Sequence, residues 1–107
     1  MQIAVIKGDG IGVDVTDAAL GLADAALART GQIALQYRQV QAGAGYYRDQ
    51  GRDIEPGGEV ACGKADAIFL GAIGLPAIRH ADGTEISPHL RLRDRFQLYA
   101  GVRPVRA

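Results

Sequence analysis

Apolar and polar residues fall along this chain in blocks that read as strand, helix, strand. Gln2 to Ile6 is a short apolar run ending at Lys7-Gly8-Asp9-Gly10-Ile11-Gly12, the pattern of a strand buried on both faces and then a turn. Beyond it, Val15, Ala18, Ala19, Leu22, Ala25 and Ala26 recur at the three-and-four spacing of one helical stripe, in an alanine-rich stretch that Gly31 would stop. Ile33 to Val40 alternates Ile33, Leu35 and Tyr37 with Gln and Arg, which predicts a second strand with one wetter face, at or near a sheet edge.

The rest of the pattern is more broken. Gly43 to Gly51 reads as a short helix or a loop between glycines, and Pro56 to Gly63 as another short helix with Pro56 near its first turn. Ala65 to Leu70 (ADAIFL) is the clearest buried strand, followed by the glycine-proline loop Gly71 to Pro76. Arg79 to Pro88 is polar, with Asp82-Gly83 as a tight turn. Ser87-Pro88 then supplies an N-cap and a first-turn proline for a helix through Phe96 or Leu98, and Tyr99 to Arg103 reads as a last strand. Such alternation predicts an α/β fold, a mostly parallel sheet flanked by helices. No repeat, low-complexity tract or linker divides the chain, so residues 1–107 are expected to form one domain.

Composition narrows the partners. Twelve basic and twelve acidic side chains cancel, so no global field would gather nucleic acid or an anionic membrane surface, and a small-molecule or protein partner is expected. The longest apolar run, Ala67 to Ile78, is broken by Gly71, Gly74 and Pro76 and is too short to span a bilayer. The start, MQIAVIKGDG, lacks the basic and apolar blocks of a secretory leader, which predicts a cytoplasmic protein. Cys62 is the single cysteine, expected as a small buried thiol, so neither an internal disulfide nor a multi-cysteine metal site can form.

Two motifs carry chemistry. Gly8, Gly10 and Gly12 are spaced one residue short of the dinucleotide fingerprint, and no acidic residue lies between Gln36 and Gln41 to hold a ribose. Spacing alone favours a tight strand-to-helix turn in which Asp9 caps backbone donors, although the open N–H groups before the helix could also meet an anion or a polar ligand edge. On a helix starting near Pro88, His89 and Arg93 share a face, whereas Arg91 and Arg95 form a second row about 160° round from Arg93. Leu92 and Phe96 would anchor that helix to the core and leave the Arg93 guanidinium at a cleft edge. Arg103, held extended by Pro104, could join it, and two such forks suit a ligand with several carboxylates. Solvated ion pairs are expected for Arg91, Arg95 and Arg106. Asp9, Asp14, Asp17, Asp82, Glu85 and Asp94 show no metal-ligand clustering and are expected as caps or solvated charges. His80 is expected exposed, and Tyr46 and Tyr47 as packing residues.

GDGIG at Gly8–Gly12, then Gly71-Ala72 with Gly74 and Pro76, then LRLR…F.LYAGVRP from Leu90 to Pro104, resemble in that order the N-terminal part of the β-decarboxylating dehydrogenases, the isocitrate and isopropylmalate dehydrogenase family. The resemblance covers essentially the whole chain. It implies an incomplete α/β unit, the first part of the family's larger domain, in an enzyme that oxidises a 3-substituted malate of isopropylmalate, isocitrate or tartrate type. NAD or NADP and Mg2+ or Mn2+ are the implied cofactors, the metal stabilising the enolate left when carbon dioxide departs. By the same resemblance Arg93 and Arg103 bind the malate carboxylates, with Ser87 and His89 beside them. Ile11 and Gly12, together with Gly71, Ala72, Ile73 and Gly74, border the nicotinamide cofactor.

Some positions depart from the family pattern. Val13 stands where proline is frequent and Leu75 where glycine is common, while His89 replaces an asparagine or an apolar residue, which leaves the substrate open. The family's proton-handling tyrosine and lysine, third arginine and metal-binding aspartates follow later in its sequences. No catalytic or metal residue is therefore expected within these 107 residues, and the isolated chain is expected to be inactive. The expected partners are a hydroxy di- or tricarboxylate, the remainder of the enzyme and a second subunit in a dimer. The rival expectation is a stand-alone, non-catalytic α/β module that binds a carboxylate ligand or a protein.

Overall fold

The computed structural model describes residues 1–31 and 33–106. Strand β1 (Gln2–Ile6) leads into helix α1 (Ile11–Thr30), strand β2 (Gln36–Gln39), helices α2 (Ala44–Gln50) and α3 (Gly58–Lys64), strand β3 (Ala67–Leu70) and helix α4 (Pro88–Arg95). The three strands form one parallel sheet in the order β2-β1-β3. The chain thus steps from β1 to one edge, then returns past β1 to the other. The carboxyl ends of β1 and β3 lie where that direction reverses, the place in open parallel sheets where ligands bind.

The central strand carries the core. Ile3 to Ile6 are all buried, and their side chains alternate between two faces. Ala4 and Ile6 pack with Val40, Ala42, Ile54, Ala61, Cys62 and Leu92, under α3 and α4. Ile3 lies on the opposite face and lines an apolar groove with Leu20 and Ala23 of α1. Cys62 is 3 % exposed in this core, and burial pushes its thiol pKa above the ordinary value. Because the folded protein keeps the proton at pH values where the unfolded thiol ionises, this group's contribution to stability declines as pH rises through that interval. Alkylation of Cys62 at mildly alkaline pH is expected to run roughly a hundredfold slower in the native protein than in urea. Equal rates in a thiol-trapping time course would contradict the placement.

Helix starts and stops follow the sequence signals. Gly31 closes α1 in the left-handed conformation, with its N–H donating to Leu27 O at 2.8 Å. Gly43 and Gly51 bracket α2, and Pro88 occupies the first turn of α4 after Ser87, although the Ser87 side chain makes no capping hydrogen bond. The Asp82-Gly83 turn forms as expected: Thr84 donates to Asp82 Oδ1 from both its backbone and its hydroxyl, and Arg79 pairs with Glu85 across it. His80 is partly buried rather than exposed, its ring edge-on to Tyr47 with centroids 4.9 Å apart.

Several expectations are corrected. The stripe of Val15, Ala18, Leu22, Ala25 and Ala26 is the outer face of α1, and Gly12 and Thr16 are the residues it buries. The helix is apolar on nearly every side, so spacing alone could not choose the face. β2 starts at Gln36 rather than Ile33, and all four of its residues are exposed, as an edge strand allows. β3 is the other edge and is half-exposed, not the most buried strand; a run apolar on both faces is buried only where both faces are covered. Tyr99 to Arg103 is not a strand. The segment after Leu98 pairs with no strand among the described residues, and Tyr99 is 100 % exposed.

Candidate functional site

Two loops leave the carboxyl ends of β1 and β3 and pack against each other backbone to backbone. Gly71 N–H donates to Ile6 O at 2.7 Å, and Asp9 N–H to Ala72 O at 2.8 Å. A Cβ at Gly8, whose φ is +78°, would lie 2.0 Å from the Ala72 carbonyl oxygen. One at Gly71 would lie 2.1 Å from Lys7 O and 2.5 Å from Thr16 Oγ1. Only glycine lets the two backbones come this close.

The outward side of the same loops is open. Gly10 and Gly74 are exposed, a Cβ at either would meet nothing within 4 Å, and Ile11 is 70 % exposed. Ile11, Gly12, Gly71, Ala72, Ile73 and Gly74 therefore belong to one two-loop rim. Beside it, Ile73, Gly74, Leu75, Ile78, Arg79 and Ile86 line a cleft of about 230 Å³. That is smaller than ordinary ligand pockets and suits one edge of a larger molecule.

Asp9 is the residue that sequence reasoning undervalued. It caps backbone donors as expected, but it is 7 % exposed rather than solvated, and the donors it caps are remote. Its Oδ2 accepts from Ala44 N at 2.8 Å and Gly74 N at 2.9 Å, and its Oδ1 from Gly45 N at 2.8 Å. One carboxylate thus joins the β1 loop, the start of α2 and the β3 loop. Its only sequence signal was an acid set between glycines that could expose backbone donors.

On α4, Leu92 is buried and Phe96 packs against the core, as its spacing required. The two rows of arginines diverge. Arg91 pairs with Asp53 at 2.9 Å and Glu59 at 2.8 Å, and Arg95 with Glu59 at 3.2 Å, all partly in solvent. Arg93, on the other row, is exposed and makes no ion pair among the described residues. His89 shares its side of the helix and is partly buried, and its Nδ1 has no hydrogen-bond partner among the described residues. Ser87 is partly buried at the helix start, and Arg103 is exposed in the segment after α4. The structure therefore unites the six loop residues, and it sets Arg93 apart from the ion-paired row.

The sequence profile of the isocitrate/isopropylmalate dehydrogenase family matches residues 2–107. The chain belongs to that family. Among its relatives are the 3-isopropylmalate dehydrogenase of Symbiobacterium thermophilum, 35 % identical over 97 % of this chain and 28 % of that protein, and the decarboxylating D-malate dehydrogenase of Escherichia coli, 34 % identical over 99 % of this chain and 29 % of that protein. The fold matches the apo β-decarboxylating dehydrogenase of Thermococcus kodakarensis with a TM-score of 0.70 and 27 % identity, covering 92 % of this chain and 27 % of that one. This family member thus spans under a third of the length of the relatives it matches. Among its described residues no helix is long and apolar enough to cross a membrane.

Proposed function

We propose that these 107 residues act as the N-terminal portion of an NAD- or NADP-dependent, metal-assisted oxidative decarboxylase of a 3-substituted malate, and that they are inactive alone. The observation that carries this reading is the two-loop rim at the carboxyl ends of β1 and β3, closed inside by backbone contacts and open outside at Gly10 and Gly74. A flat polar ligand edge could approach the backbone at Gly10 and Gly74, where no Cβ stands in the way, with the exposed Ile11 side chain beside it, so the residues present fit the cofactor. Ile11, Gly12 and Gly71 to Gly74 would hold it. When bound, NAD or NADP would accept the hydride from the substrate carbinol carbon.

The chain's own contribution is binding and orientation. Arg93 and Arg103 would each offer a planar fork to a substrate carboxylate, with Ser87 and His89 beside the group that distinguishes one malate from another. The His89 Nδ1, without a partner among the described residues, supports a polar role there. Fixing both carboxylates would hold the carbinol hydrogen toward the cofactor rim, a positioning effect rather than proton transfer. The same reading assigns the metal site to residues elsewhere in the full-length protein, as the family resemblance implies. A subunit partner in a dimer and a cytoplasmic location belong to the same reading.

The full-length protein is expected to reduce NAD or NADP with 3-isopropylmalate, isocitrate or tartrate, dependent on Mg2+ or Mn2+ and with release of carbon dioxide. The isolated 107-residue chain is expected to show no turnover. Activity of the short chain, or none from the full-length protein with any of the three acids, would overturn the reading.

A further inference from the structure

We infer that Asp9 is a positioning residue that sets the shape of the Gly71–Gly74 rim for the nicotinamide cofactor; this rests on the dehydrogenase reading above. Ala72, Ile73 and Gly74 have no polar side chains, so the shape of their loop depends on where its backbone hydrogen bonds go. Asp9 supplies two of them from one residue. Its own N–H donates to Ala72 O at 2.8 Å, and its carboxylate accepts from Gly74 N at 2.9 Å, which brackets Ile73 on both sides.

The same carboxylate is tied to α2 through Ala44 N and Gly45 N, so the loop is held against an element of the core rather than only against its neighbour. A carboxylate only accepts, and its charge strengthens all three bonds. At 7 % exposure, water cannot readily take its place. Space is equally specific: a Cβ at Gly43 would lie 2.7 Å from either carboxylate oxygen, so the donors at Ala44 and Gly45 reach Asp9 because residue 43 has no side chain. Since the outer edge of this loop is the proposed cofactor contact, a change at Asp9 should act on cofactor binding without touching the cofactor.

The test uses Asp9→Asn in the full-length protein. Asparagine keeps the shape but offers one acceptor oxygen. Its NH2 group faces either the Ala44 and Gly74 N–H pair, whose bonds are then unmade, or the Gly45 N–H, and in the second case the Gly74 bond survives without the carboxylate charge that strengthened it. The Michaelis constant for NAD or NADP, and the dissociation constant of the reduced cofactor, are expected to rise roughly tenfold, the scale of one lost charged hydrogen bond. The Michaelis constant for the hydroxy acid is expected to stay within about twofold, because Arg93 lies on α4 and Arg103 in the segment after it, neither bonded to Asp9. Unchanged cofactor constants, or equal changes in cofactor and acid constants, overturn the assignment.

Hydrogen exchange on the ligand-free wild-type protein gives a second arm that no folding failure can spoil. Peptides spanning residues 71–75 are expected to exchange slowly before any cofactor is added, and faster in Asp9→Asn if that variant folds. Rapid exchange in the ligand-free wild type overturns the assignment. A full-length wild type that turns over no malate refutes the dehydrogenase reading instead, and the exchange result still decides whether Asp9 holds the loop.

Discussion

Gly71→Ala is expected to destabilise the protein by about 3 kcal/mol, the upper range for forcing a methyl group into filled space. The added Cβ would meet Lys7 O at 2.1 Å and Thr16 Oγ1 at 2.5 Å. Neither can retreat cheaply. Lys7 O is backbone at the end of the central strand, and Thr16 is 1 % exposed on α1, where its β-branched side chain has little rotamer freedom. Moving the loop outward would strain the Gly71 N–H bond to Ile6 O and the Asp9 N–H bond to Ala72 O. For a unit of this size such a loss corresponds to a fall in melting temperature of roughly 10 to 20 °C, read in thermal or urea unfolding.

Gly21→Ala supplies the control. Gly21 lies inside α1 with nothing within 4 Å of an added Cβ, so alanine there is expected to stabilise by about 0.5–1 kcal/mol through helix propensity. Equal effects of the two substitutions would mean that the backbone contact between the loops does not exist in solution.

Arg93→Gln and Arg103→Gln, each in the full-length protein, are expected to lower kcat/KM for the malate-type acid by about a hundredfold. Removing one partner of a desolvated, hydrogen-bonded charge pair costs roughly 2–5 kcal/mol, and 1.4 kcal/mol is a factor of about ten. Arg93→Lys is expected to recover only part of the loss, since an ammonium keeps the charge but not the planar fork. Arg91→Gln differs in kind. Arg91 already pairs with Asp53 and Glu59 with its side chain 45 % exposed, so its loss is expected to cost less than about 1 kcal/mol of stability and to leave the acid KM within about twofold. Initial-rate kinetics on the four variants separate the rows. A larger kinetic loss at Arg91 than at Arg93 would mean that the substrate role has been given to the wrong face of α4.

How much of this was legible depends on the distance over which each signal acts. Gly31 stops α1, Pro88 starts α4, and Leu92 with Phe96 chooses the buried side of α4, all from residues within a turn or two of the event. The face that α1 buries was not legible, because Val15 and Leu22 are as apolar as Leu20 and Ala23, and the position of the sheet broke the tie. The run ADAIFL has the composition of a central strand, but edge position leaves Leu70 43 % exposed. Tyr99 to Arg103 reads as a last strand, yet a strand needs a neighbour to pair with and none lies beside it among the described residues.

The candidate site divides the same way. Both glycine loops, and the arginine helix with its two rows, could be read from short spacings; the family came from the resemblance of three motifs in order along the whole chain. Asp9 could be read only as an acid between glycines. Its amide partners lie 35, 36 and 65 positions away, and no local pattern announces them.

Chain order by itself determined the helices with their glycine and proline boundaries, the first strand and the residue types at the loops, because torsional preference and helix periodicity act over a few neighbouring residues. Tertiary structure alone decided which apolar face is covered, which strands are edges and which amides meet Asp9. Burial and long-range hydrogen bonding depend on what the rest of the chain brings alongside.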